Sequence, residues 1–187
     1  MSHEPNRVAI FGPESTGKTQ LAEKLAAHFG APLVAEYARE RWDQQGGVLT
    51  LEDMLPVARE QWRREDAAAL LRQGFGGPAG PRLIICDTDA LTTMLWSDLL
   101  YGTCPDELRR GAEKRCRDYA LYLLLDIDVP FAPDPQRCFP DPADREKCLR
   151  IWRGALDRRH LPYALIQGDW AQREQRAIAA VNRLLSS

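Results

Sequence analysis

One octapeptide constrains this chain more than any other stretch. Gly12-Pro13-Glu14-Ser15-Thr16-Gly17-Lys18-Thr19 fits the phosphate-loop pattern G-x-x-x-x-G-K-[ST]. Its flanks are what such a loop needs. Val8-Ala9-Ile10-Phe11 before it is a short apolar run that predicts a buried strand, and Leu21, Leu25 and Phe29 after it recur on one helical face. Glycines let successive backbone N–H groups turn inward as an anion nest, and the start of the following helix adds partial positive charge. Gly12 through Gln20 is therefore expected to cradle a nucleoside triphosphate. Lys18 would reach the β- and γ-phosphates, and the Thr19 hydroxyl would hold Mg²⁺.

The rest of the chain reads as strands alternating with helices. Leu33-Val34-Ala35 predicts a second strand ending at Glu36, and a helix follows through Trp42 and stops at Gly46-Gly47. Thr50-Leu51-Glu52-Asp53 is a capping-box-like start for a long helix whose Leu51, Leu55, Ala58 and Trp62 share a face. Phe75 to Pro81 is glycine- and proline-rich and predicts a loop. Leu83-Ile84-Ile85-Cys86 predicts a strand ending at Asp87-Thr88-Asp89, with helices over 90–100 and 105–117. Residues 120–125 predict another strand, a helix resumes near Arg145 and runs to about Arg159, residues 163–166 predict the last strand, and a helix closes the chain. Strands apolar throughout, separated by helices, predict a parallel sheet covered on both faces. The expectation is a single α/β domain over 1–187, a P-loop NTPase three-layer sandwich of the nucleoside-kinase kind.

In such sheets ligands sit beyond the carboxyl ends of the strands. Gly12, Glu36, Asp87 and Asp126 all fall there. Asp87 follows four apolar residues, the Walker B pattern, and is expected to act through Mg²⁺. Asp89 faces the substrate or caps the helix that starts at Ala90, and the sequence leaves both open. Glu36 can take a proton from an attacking hydroxyl or bind a sugar diol, the alternative being a surface ion pair with Arg39 or Arg41. Residues 129–144 carry five prolines and predict a lid-like segment (about 129–145), whose Arg137 and Arg145 would neutralise the migrating phosphoryl group. Trp62 is expected to pack rather than to stack on a base.

Composition narrows the alternatives. The 187 residues carry a formal net charge of −2, which argues against a nucleic-acid partner bound through a broad basic face. No apolar run approaches a membrane span, and the first residues lack signal-peptide character. Cys86, Cys104, Cys116, Cys138 and Cys148 show no metal-binding spacing and fit reduced thiols in a cytoplasm. His3, His28 and His160 are isolated, and no metal is assigned to them.

With these residues in view, the chain resembles the kinase domain of NadR-type proteins. The resemblance rests on the P-loop at 12–19, Glu36-Tyr37-Ala38-Arg39-Glu40, Asp87-Thr88-Asp89, Leu123 to Pro130, and Leu161-Pro162-Tyr163, and it covers nearly the whole chain. It implies ATP-dependent phosphorylation of the 5′-hydroxyl of nicotinamide riboside, with ATP as co-substrate, Mg²⁺ as cofactor and a small nucleoside as the partner molecule. It also implies that Gly168 to Arg173 wraps the adenine. Two departures stand out. Ala35 occupies a position where some members carry an aromatic residue that stacks on nicotinamide, and Phe131 to Gln136 replaces the family's lid sequence, leaving Arg137 as the recoverable arginine. Another small riboside or metabolite as acceptor, and a nucleotide-switch ATPase without an acceptor, are the competing readings.

Overall fold

In the computed structural model, residues 4–71 and 82–186 are described; the loop expected over 75–81, like His3, lies outside them. Five strands form one parallel sheet: β1 (Asn6–Phe11), β2 (Leu33–Val34), β3 (Leu83–Asp87), β4 (Tyr119–Leu125) and β5 (Tyr163–Ile166), in the order β2-β3-β1-β4-β5. The helices among the described residues are α1 (Lys18–Phe29), α2 (Tyr37–Gln44), α3 (Leu51–Ala69), α4 (Ala90–Tyr101), α5 (Asp106–Arg115), α6 (Pro142–Asp157) and α7 (Trp170–Leu185). A 3₁₀ turn, Cys116–Asp118, joins α5 to β4.

The strands are apolar on both faces because both faces are covered. Along β1, Ala9 and Phe11 enter one core with Ile84 and Cys86 of β3 and Tyr122 and Leu124 of β4, against α3 to α6. Val8 and Ile10 enter the other with Leu83, Ile85, Leu123 and Leu125, against Leu21, Leu25, Ala177 and Val181 of α1 and α7. The side-chain period of two thus feeds two cores from each strand. This is a P-loop kinase fold, a three-layer α/β sandwich.

Differences from the sequence expectations are local. β2 has two residues, with Glu36 as the N-cap of α2. The helix expected from Arg145 begins three residues earlier at Pro142, because proline is tolerated at a first helical position and Asp141 accepts from the Ala143 N–H. The Thr50–Asp53 capping box forms as expected. Trp62 packs at the edge of the larger core, under the Arg115 guanidinium.

Candidate active site

The phosphate loop leaves β1 through Gly12 and enters α1 through Gly17, and both glycines are required by geometry. Gly12 has φ +144°, and a Cβ there would lie 2.9 Å from the Leu125 carbonyl oxygen; Gly17 has φ +82°, and a Cβ there would lie 2.5 Å from the Trp170 ring. Either substitution would force backbone and neighbour apart. Inside the loop, the Thr16 hydroxyl donates to the Pro13 carbonyl (2.9 Å), and the Lys18 ammonium donates to the same oxygen (2.7 Å). Burial lowers the Lys18 pKa, while Glu36, Asp87 and Glu14 pull it back up.

Because the sheet is parallel, the ends of β1, β2 and β3 converge here. Asp87 ends β3, which pairs directly with β1, whereas Glu36 follows β2, one strand farther out. Asp87 is 2% exposed and its Oδ1 has no hydrogen-bond partner among the described residues. Burial raises its pKa, and hydrogen bonding to Thr19 and the charge of Lys18 oppose that rise. An orphaned buried carboxylate oxygen beside a P-loop hydroxyl fits a hard cation. Among the described residues no three His, Cys, Asp or Glu side chains cluster as metal ligands. That suits Mg²⁺, which is commonly held by one or two protein oxygens with water and phosphate completing the shell.

Glu36 is half-buried at the floor of a cleft of about 850 Å³. The ion pair considered for it is not formed: Arg39 binds Asp134 (3.3 Å) and Arg41 binds Asp53 (3.0 Å). Desolvation within the cleft raises its pKa, with Lys18 acting against and Asp87 with that shift. A raised carboxylate is a stronger base, which is what abstraction of a hydroxyl proton requires. Beyond Glu36 the cleft turns apolar, between Trp42, Met54, Val57, Trp96 and Tyr101. Sequence reading missed this wall, because its residues come from three helices and share no motif. Ala35 does not line it, and Trp42 and Trp96 supply the aromatic surface instead.

Three expectations change. Asp89 has both carboxylate oxygens engaged at the start of α4, accepting from the N–H groups of Leu91 (2.8 Å) and Thr92 (3.0 Å) and from the Thr92 hydroxyl. Of its two readings, helix capping accounts for its contacts, and it is not among the cleft-lining residues described. Arg145 is also absent from that lining. It is buried in the first turn of α6, donates to the Val129 carbonyl (3.1 Å), and lies over the Phe131 ring. Arg137 does line the cleft, its guanidinium bonding Ser15 Oγ (3.3 Å) and the Ala132 carbonyl. Arg173 is the third correction. Rather than meeting a base, its buried guanidinium donates to the carbonyls of Thr16 (2.9 Å), Gly168 (2.9 Å) and Asp126 (2.8 Å) and to the Asp128 carboxylate. It ties the P-loop to the ends of β4 and β5. From the segment assigned to adenine it is Trp170, half-exposed over Gly17, that faces the cleft.

A family model described as an AAA domain matches residues 7–173. Among solved structures, NadR protein in complex with NR superposes with a TM-score of 0.76 at 26% identity, covering 100% of this chain and 53% of that one. NadR protein in complex with NAD and AMP-PNP gives 0.75 at 22% identity, covering 100% and 51%. Thymidylate kinase from Ehrlichia chaffeensis gives 0.64 at 14% identity, covering 96% and 100%. The chain thus spans about half the length of the NadR chains it matches. No helix among the described residues is long and apolar enough to cross a membrane.

Proposed function

The chain belongs to the AAA-domain family of P-loop proteins, and on that premise we propose that it is an ATP-dependent kinase for a nucleoside 5′-hydroxyl, with nicotinamide riboside as the acceptor and nicotinamide mononucleotide as the product. The observation that carries this reading is the cleft itself. It joins the P-loop, an unpaired Glu36 carboxylate and an apolar aromatic wall in one space large enough for two ligands. The similarity to a NadR protein that binds NR supports the choice of acceptor.

The chemistry asks for positioning and charge neutralisation. The backbone N–H groups of 12–19 and the Lys18 ammonium hold the triphosphate. Thr19 and Asp87 would hold Mg²⁺, which supplies charge neutralisation on the phosphate oxygens. Trp42, Trp96 and Tyr101 enclose the base of the acceptor, so that its 5′-hydroxyl is presented toward the P-loop. Glu36 accepts the hydroxyl proton as that oxygen bonds to the γ-phosphorus, and the bond from the γ-phosphorus to the oxygen of ADP breaks. Arg137, on the segment over the P-loop, offers positive charge to the phosphoryl group in transfer.

A coupled ADP assay over a panel of ribosides tests the reading. ADP release is expected to depend on added acceptor, with the highest kcat/KM for nicotinamide riboside. A higher value for uridine or adenosine would move the acceptor assignment, and steady ADP release with no acceptor would point to the switch ATPase instead.

A further inference from the structure

Glu14 occupies a variable position of the phosphate loop, yet its carboxylate does not turn toward the loop. It accepts three contacts from two successive backbone N–H groups of the proline-rich segment, Cys138 (2.9 and 3.1 Å) and Phe139 (2.6 Å). Consecutive amides aimed at one anion form a nest, and here the anion is a side chain 124 residues away. The neighbouring loop residue does the same work at the segment's other end, Ser15 Oγ accepting from the Ala132 N–H (2.8 Å). Two further contacts fasten the segment to the acceptor side: Arg39 of α2 to Asp134, and Phe139 stacked on the cleft-lining Trp96 at 6.1 Å and 8°. Between these anchors lies Arg137.

From this geometry we propose that Glu14 is a positioning residue, a latch that fixes residues 131–139 on the P-loop and thereby places Arg137 at the site of phosphoryl transfer. Charge-assisted bonds to two amides hold the segment in one register. Because the latch is built into the phosphate loop, the loop's conformation and the segment's position become a single unit. A carboxylate one methylene shorter would not span the distance. An amide keeps one acceptor oxygen and loses the charge. The kinetic part of this inference rests on the kinase reading, and the structural part does not.

The test is hydrogen exchange by mass spectrometry on wild type and Glu14→Ala, with Glu14→Gln as the conservative variant, alongside steady-state kinetics. In Glu14→Ala the peptide over 131–141 is expected to exchange at least about tenfold faster, with the β1 peptide unchanged as the control for folding, and Glu14→Gln intermediate. Turnover should fall about tenfold or more with KM for ATP moving less than about threefold, and adding Arg137→Ala to Glu14→Ala should cost no further turnover. Unchanged exchange over 131–141 overturns the latch. Faster exchange with fully additive turnover losses overturns the route through Arg137. A raised KM for the acceptor with unchanged exchange would make Glu14 a substrate contact instead. If wild type shows no acceptor-dependent turnover, the kinase reading fails, and the exchange result still decides the latch.

Discussion

Truncating Arg173 should cost this protein more stability than most surface arginines and should loosen the nucleotide site as well. The side chain is 2% exposed and bonds three backbone carbonyls and the Asp128 carboxylate, drawn from the P-loop and the segments after β4 and β5. Removing one partner of a buried, hydrogen-bonded charge typically costs about 3–5 kcal/mol. Asp128 is itself 36% exposed, so water screens part of its loss and the lower end applies. For a domain of this size, about 3 kcal/mol lowers Tm by roughly 6–12 °C. Differential scanning calorimetry on Arg173→Ala measures that directly. Arg173→Lys keeps the charge but cannot fork to four acceptors, so it should recover less than half the loss. Because the Thr16 carbonyl is one of the acceptors, the stabilisation gained on adding AMP-PNP should also shrink in both variants. A Tm for Arg173→Ala within about 2 °C of wild type would refute the tie, and full recovery by lysine would show that charge alone, not the planar fork, was at work.

Three further outcomes follow from the site and the core. Asp87→Asn should raise the Mg²⁺ concentration needed for half-maximal turnover and depress background ATPase, whereas Glu36→Gln should spare ATP binding, cut acceptor phosphorylation by ~10²–10⁴, and remove the acidic limb of the pH–rate profile; a mild Glu36→Gln would unseat the base assignment. Arg137→Ala should lower turnover more than ATP affinity, while Arg145→Ala, whose side chain packs under Phe131 at the start of α6, should lower Tm with little change in kcat; equal kinetic losses would restore Arg145 to the lid. Glu65 is fully buried beside Tyr119, and burial pushes its pKa to about 7, against an ordinary 4.5. The native state then holds a proton that the unfolded chain has released, so stability should fall by about 3 kcal/mol as pH rises from 4.5 to 7. Glu65→Gln should flatten that slope in urea titrations, and an unaltered slope would locate the effect elsewhere.

The sequence by itself determined what is local. Gly12 to Thr19 carries its own geometry, since a nest and a helix start need only neighbouring residues. The β1, β3 and β4 strands are legible because full burial demands unbroken apolar runs. The edge strand β2, two residues long, and the start of α6 at a proline are less so. Tertiary structure alone decided what distant segments do to one another. Asp89 carried two local meanings, and its packing beneath α4 turned both its oxygens to capping. Arg145 and Arg137 looked alike in a proline-rich stretch until α6 buried one and left the other at the cleft. Arg173 reaches Thr16 across 157 residues, and Glu14 reaches Cys138 across 124. No periodicity or motif encodes such contacts, because they depend on which strand lies beside which, and the order β2-β3-β1-β4-β5 exists only once the sheet has formed.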